Sequence, residues 1–107
     1  MARLQERGRR TALRLDVEAE GQDIMGRDFF ESTRTVNISG GGLCLETRHQ
    51  VAVGSQLTLA IAVPETLRRH FGGSPIYRAR AVVCRVELPD GEGLRRVGAR
   101  ILGELLA

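Results

Sequence analysis

Lysine and tryptophan are absent from this chain of 107 residues, and aromatic side chains are few. All 16 of its Lys and Arg positions are arginines, and its aromatics are one tyrosine and three phenylalanines. The volume of a core must therefore come from Val, Leu, Ile and Ala. Arginine presents a planar fork of donors, which binds phosphate through two hydrogen bonds and stacks on flat rings. We therefore expect any anion site in this protein to be built from guanidinium groups.

Residues that bind metals or form disulfides are also scarce. The cysteines Cys44 and Cys84 fall in separate predicted strands, and the histidines His49 and His70 are isolated. Two cysteines do not make a disulfide framework, and no CxxC motif or His-rich cluster indicates a metal site. We therefore expect neither a metal nor a cofactor. With no paired carboxylates and no Ser–His or Cys–His arrangement, an enzyme is the least favoured class.

Long hydrophobic runs are missing as well. No segment approaches the roughly 18 apolar residues of a membrane span, and the N-terminus has no apolar region of the kind found in secretory signals. The length fits a single domain. We expect a soluble, cytoplasmic protein without membrane insertion.

Positive charge is concentrated at the N-terminus. Residues 1–14 contain five arginines and one acid, whereas the rest of the chain is close to neutral, with one more acid than arginine. Within this segment Arg10 and Arg14 have the spacing RxxxR, and Arg9 precedes them. A solvated cationic tail is the simplest interpretation of this spacing alone. The confinement of the charge nevertheless favours a local anion site over a broad basic face.

A second polar motif lies at residues 37–42, Asn-Ile-Ser-Gly-Gly-Gly. Asn37 offers both a donor and an acceptor, Ser39 adds a hydroxyl, and three glycines allow a close backbone approach and positive φ angles. A tight turn with local hydrogen bonds is the simpler interpretation. The GxSxG motif of a nucleophilic serine and the GxGxxG motif of a dinucleotide fold are both absent. Together with the arginines, this turn predicts one site for an anion and a base.

The hydrophobic pattern predicts an all-β fold. Residues 13–20 alternate strictly between apolar and polar, which indicates a half-buried strand with Arg14 on its solvent face. Residues 21–32 suggest a turn or bulge region. Further strands are predicted at about 31–38, 43–47, 57–63, 76–88 and 97–101, with at most one helical turn in 65–75. Six short strands favour an antiparallel barrel over residues 13–107, preceded by a flexible arm at 1–12.

The two motifs together resemble those of the PilZ domain family. That family has an RxxxR arm followed by a [D/N]xSxxG turn, here Arg10 to Arg14 and Asn37 to Gly42. The run Val97-Gly-Ala-Arg100 is similar to its closing VGxR strand, so the resemblance spans residues 5–102. It implies a six-stranded antiparallel β-barrel that binds cyclic diguanylate, a bacterial second messenger. In this chain Ile101 stands where the family often has an aromatic residue.

The resemblance also implies which residues hold the ligand. Arginines of the arm would grip phosphates and guanine faces, and the turn would read a guanine edge; the implied site is Arg9, Arg10, Arg14, Asn37, Ser39, Gly41 and Gly42. We expect the arm to become ordered on binding and to present a new surface to a downstream protein partner. Two alternatives stay open, a small barrel that binds single-stranded nucleic acid and a barrel without ligand that acts as a protein adaptor. The scarcity of aromatics disfavours the nucleic acid, because single strands are bound by stacking on aromatic side chains.

Overall fold

Residues 13–105 are described by the computed structural model, and they form a closed antiparallel barrel of six strands. The strands are β1 (Asp16–Gln22), β2 (Asp28–Ser39), β3 (Gly42–Thr47), β4 (Gln56–Ala62), β5 (Ile76–Val86) and β6 (Arg95–Glu104). Around the barrel their order is β1, β2, β3, β6, β5, β4, so each strand has two neighbours and the sheet has no free edge. The predicted fold class is confirmed. The proposed arm at residues 1–12 lies outside the described residues.

The core is built from the inward side chains of all six strands. The alternation at the start of the chain places Leu15, Val17 and Ala19 in the core and leaves Arg14 exposed, as predicted. Burying one Val, Leu or Ile side chain stabilises the fold by about 1.5–3 kcal/mol. The largest fully buried side chains are Leu45, Leu59, Ile61, Val17, Val83, Val97 and Thr35. The expectation of an aliphatic core without large aromatics is therefore met.

The hairpin between β1 and β2 differs from the prediction. β2 begins at Asp28 rather than near residue 31, because β1 continues to Gln22 and pairs with Asp28. The loop is closed by Asp23, whose carboxylate accepts hydrogen bonds from the amides of Met25 and Arg27 at 2.9 and 3.0 Å. The bond from the Arg27 amide is the main cause that lowers the pKa of Asp23. This local closure lets the strands extend further than the sequence pattern suggests.

The segment between β4 and β5 forms a 3₁₀ helix of seven residues, Glu65–Phe71, which is about two turns where the sequence predicted at most one. It ends at Gly72, which has a φ of 80° that disfavours other residues. Among the described residues, no helix has the length and apolar character needed to cross a membrane. The 3₁₀ helix and the β2–β3 turn lie at the same end of the barrel, because both connections follow strands that run in the same direction.

Candidate functional site

The glycine turn connects β2 and β3 through two residues, Gly40 and Gly41, with Ser39 paired to Gly42. None of the three glycines has a positive φ, so that part of the expectation is wrong. The glycine at 42 is required for space instead, because a Cβ there would lie 2.6 Å from the carbonyl oxygen of Ala99. At Gly40 and Gly41 a Cβ would meet nothing within 4 Å. These two glycines therefore leave the backbone open to an approaching molecule.

We expect Gly42→Ala to destabilise the barrel by about 1–3 kcal/mol, because backbone atoms of β3 or β6 must move to accept the methyl group. Gly41→Ala is the matched control, one residue away in open space. Urea unfolding of both variants measures the difference. Equal midpoints for the two variants would show that the close contact with Ala99 does not constrain the turn.

A β-bulge in β2 turns Asn37 to the outside of the barrel. Thr35 pairs with Leu45, and Asn37 pairs with Cys44, so one extra residue, Val36, stands between the two pairs. Without this extra residue, Asn37 would share the inward face of Thr35, since successive side chains alternate across a strand. With it, Asn37 and Ser39 both face outwards, next to Cys44 and Gly42 of β3. The bulge thus brings the amide and the hydroxyl to one surface.

A second β-bulge lies in β5, on the other side of the outer surface that carries Asn37 and Ser39. In β5, Val83 pairs with Ala99 and Arg85 pairs with Gly98, so Cys84 is the extra residue. This bulge explains why the alternation of residues 76–88 is mixed in the sequence. It also turns Arg85 outwards over β6, where its guanidinium carbon lies 3.4 Å from the position that a Cβ on Gly98 would take. The missing side chain at residue 98 therefore lets Arg85 lie against the sheet.

These residues enclose a groove of about 240 Å³ on the outer face of β2, β3, β6 and β5. One row across the strands consists of Asn37, Cys44, Gly98 and Arg85, as the strand register shows. The next row contains Ser39, Gly42 and Arg100. The floor is made of small residues, while amide, hydroxyl and guanidinium groups form its sides. Such a surface suits a flat polar group that carries negative charge.

Arg14 lies beside this groove on the same outer surface. Its guanidinium is 3.2 Å from the carboxylate of Glu46, and the side chains are 47% and 19% exposed. Glu46 follows Cys44 by two residues in β3, which places it about 7 Å further along the outer face. Arg14 does not line the groove itself; its half-exposed guanidinium is held at Glu46, two residues along β3 from the groove residue Cys44.

Thr35 attaches the entry of the chain to β2. Its buried hydroxyl accepts a hydrogen bond from the amide of Leu15 at 2.8 Å and donates one to the carbonyl oxygen of Leu13 at 2.5 Å. The amide of Thr35 also donates to the carbonyl oxygen of Leu15 at 2.9 Å. Arg14 lies between Leu13 and Leu15, the two residues bonded to Thr35. These hydrogen bonds therefore fix the backbone from which the Arg14 side chain extends.

We expect Thr35→Val to lower the free energy of unfolding by about 1–3 kcal/mol, because the buried amide of Leu15 loses its partner. Thr58→Val, at an outward position of β4, is the control and should change stability little. Thermal and urea unfolding measure both variants. If the Thr35→Val protein is as stable as the Thr58→Val protein, the hydrogen bonds of Thr35 to Leu13 and Leu15 do not stabilise the fold.

The described residues thus bring together five of the seven site residues expected from the sequence. Asn37, Ser39, Gly41 and Gly42 line the groove, and Arg14 lies at its edge. Arg9 and Arg10 lie outside the described residues. The site residues expected from the sequence did not include the groove lining that β5 and β6 contribute, namely Cys84, Arg85, Gly98 and Arg100. In the sequence, the VGxR run at residues 97–100 was the signal that could have indicated Gly98 and Arg100.

Comparisons with known proteins agree with this fold. The profile of the PilZ domain matches residues 3–104, which shows that the chain belongs to the PilZ domain family. Members of this family are cyclic diguanylate receptors and adaptors, and no catalytic family is indicated. No curated protein sequence matches the chain.

Three solved structures share the fold. The Bacillus subtilis inhibitor of motility MotI/DgrA has a TM-score of 0.67 at 22% identity, covering 90% of this chain and 42% of that one. Klebsiella pneumoniae MrkH in its apo state has a TM-score of 0.53 at 17% identity, covering 85% and 41%. The PilZ domain of YcgR from Escherichia coli with c-di-GMP has a TM-score of 0.51 at 12% identity, covering 89% and 79%. The chain therefore spans about two fifths of the first two proteins.

Proposed function

We propose that this protein is a bacterial sensor that binds cyclic diguanylate and transmits its level to a partner protein. The observation that carries the proposal is the groove in which Asn37 and Ser39 on one side face Arg85 and Arg100 on the other. Both cations and neutral hydrogen-bonding groups are needed for a cyclic dinucleotide, which combines two phosphates with two flat bases. Membership of the PilZ domain family supports the same ligand.

The proposed roles follow from the chemistry of each side chain. Asn37 has a donor and an acceptor for a guanine edge, and the small residues Cys44 and Gly98 allow a flat ring to approach the sheet. Arg85 and Arg100 can each form paired hydrogen bonds with a phosphate or with the O6 and N7 atoms of guanine. Arg14 adds a third guanidinium from the edge beside Glu46. The ligand would thus be contacted from both sides of the groove.

The size of the groove suggests that a further segment completes the site. Its volume of about 240 Å³ is below the roughly 300–1,000 Å³ of pockets that enclose a drug-sized ligand. We propose that Arg9 and Arg10 cover the exposed side of the nucleotide, as the family motif implies. The ordering of residues 1–12 would neutralise their charge and change the surface offered to a partner. We place this non-enzymatic activity in the cytoplasm, and downstream partners are to be sought there.

Calorimetric titration of the full chain with cyclic diguanylate tests the proposal and reports the affinity and the stoichiometry together. GMP and a single-stranded oligonucleotide are titrated under the same salt conditions. We expect saturable binding of cyclic diguanylate that is tighter than either control. Tighter binding of the oligonucleotide would favour a nucleic-acid-binding barrel, and no binding of cyclic diguanylate at all would favour an adaptor without ligand. Either result would overturn the proposed function.

A further inference from the structure

A second and larger cavity lies at the end of the barrel where the β2–β3 turn and the 3₁₀ helix meet. Its volume is about 530 Å³, within the roughly 300–1,000 Å³ range of small-molecule sites, which are often found in the mouths of barrels. Most of its lining is aliphatic or aromatic, including Leu13, Ile38, Ile61, Leu67 and Ile101. This cavity is separate from the proposed nucleotide groove, because the groove lies on the outer face of the sheet.

Polar groups at the cavity are neutral or basic. His70 and Tyr77 line it with hydrogen-bonding side chains, Ser39 borders it at the turn that it shares with the groove, and none of the described residues that line it is acidic. The last turn of the adjacent 3₁₀ helix carries Arg68 and Arg69 in addition to His70, against a single acid, Glu65, in its first turn. Arg68 donates through Nε to the carbonyl oxygen of Val63 at 3.1 Å, which leaves its two terminal nitrogens available. The cavity is therefore apolar inside with an excess of positive charge at the helix beside it.

From this combination we propose that the cavity binds a small aliphatic carboxylate, with its hydrocarbon part among the leucine and isoleucine side chains and its head towards the basic end of the 3₁₀ helix. The arginine-rich residues 1–12, which precede Leu13 in the chain, are an unfavourable occupant, because like charges at Arg68 and Arg69 would repel them. The apolar surface is also recessed within the barrel end, which suits a free molecule better than a lipid bilayer.

The cavity and the groove share part of their lining. Ser39, Gly42 and Leu43 belong to both, and the amide of Ile101, a cavity residue, donates to the carbonyl oxygen of Gly41 at 2.9 Å. A carboxylate that holds the turn in one position would therefore change the affinity of the groove for its ligand, and the nucleotide would change the affinity of the cavity by the same factor. This coupling rests on the proposed function, whereas the binding of the carboxylate does not.

The test is an NMR titration of the full chain, without nucleotide, with decanoate below its micelle concentration. We expect saturable shifts at the amides of Ile61, Leu67 and Ile101, and none with decyltrimethylammonium, which has the same chain and the opposite charge. Ile101→Trp should fill the cavity and abolish binding, whereas Leu102→Trp, at the next and more exposed position of β6, should preserve it. Arg69→Glu, a surface change that leaves the core intact, should weaken binding by about fivefold.

Three results would overturn this site. They are equal binding of decanoate and decyltrimethylammonium, full binding of decanoate by Ile101→Trp, and the absence of saturable shifts. Co-sedimentation with vesicles of anionic phospholipid, lost in Arg69→Glu, would assign the surface to a membrane and would also overturn it. Tight binding of an acidic apolar peptide that decanoate fails to displace would assign the site to a protein partner instead. The coupling is measured separately, as a change of at least about threefold in the Kd of cyclic diguanylate at saturating decanoate.

Discussion

Arg14→Ala is expected to lower the affinity for cyclic diguanylate at least tenfold, a loss of about 1.4 kcal/mol or more. Arg14 extends a half-exposed guanidinium along the outer face of β3, and Thr35 fixes the backbone on both sides of it. If the proposed function is right, truncation removes charge-assisted hydrogen bonds to the nucleotide, and it creates no cavity in the core because Arg14 is exposed. Calorimetry on the wild type and the variant at one salt concentration measures the effect.

The matched control is Arg78→Ala. Arg78 is an exposed arginine of β5, seven residues before Arg85, and it lines a different part of the outer surface together with Glu18 of β1. Arg78→Ala should leave the affinity for cyclic diguanylate unchanged, because Arg78 carries the same charge as Arg14 but lies away from the groove. Glu46→Gln should shift the affinity by less than about fivefold, since an exposed ion pair contributes about 1 kcal/mol at most. Equal losses in the Arg14 and Arg78 variants would mean that binding depends only on net charge.

Gly98→Val is expected to reduce the affinity for cyclic diguanylate by roughly a hundredfold, equivalent to about 2.8 kcal/mol. The new side chain would occupy the floor of the groove and displace the guanidinium of Arg85, whose carbon lies 3.4 Å from the added Cβ. The fold should tolerate this change, because the contacting atoms belong to a flexible side chain and β-branched residues favour strands over glycine. Calorimetry and urea unfolding separate the two effects.

Gly103→Val is the control for this substitution. Gly103 belongs to the same strand, and a Cβ there would meet nothing within 4 Å, but it lies outside the groove. The same glycine-to-valine change in the same strand should therefore keep full affinity. If Gly98→Val binds the nucleotide as tightly as Gly103→Val, the ligand does not lie on the floor between Asn37 and Arg85.

Where the chain alternates regularly, the sequence predicted both the strand and its buried face. Leu15, Val17 and Ala19 are buried because period two is imposed by the pleat itself, whatever the rest of the fold. The prediction was incomplete for β2, whose start at Asp28 depends on pairing with Gln22 across a loop closed by Asp23. It was ambiguous for β5, because a bulge interrupts the alternation. A bulge depends on the partner strand, so periodicity in one segment does not locate it.

The amino-acid sequence by itself determined the composition of the core, the number of strands, and the two motifs that indicate an anion and a base as ligand. The tertiary structure decided which residues share a surface with those motifs. The bulges at Val36 and Cys84 place Asn37 and Arg85 on the same outer face, on either side of the small residues of β3 and β6. The reason is physical: composition and alternation are local properties of the chain, whereas the facing of side chains across four strands is set by registers that exist only once the barrel closes.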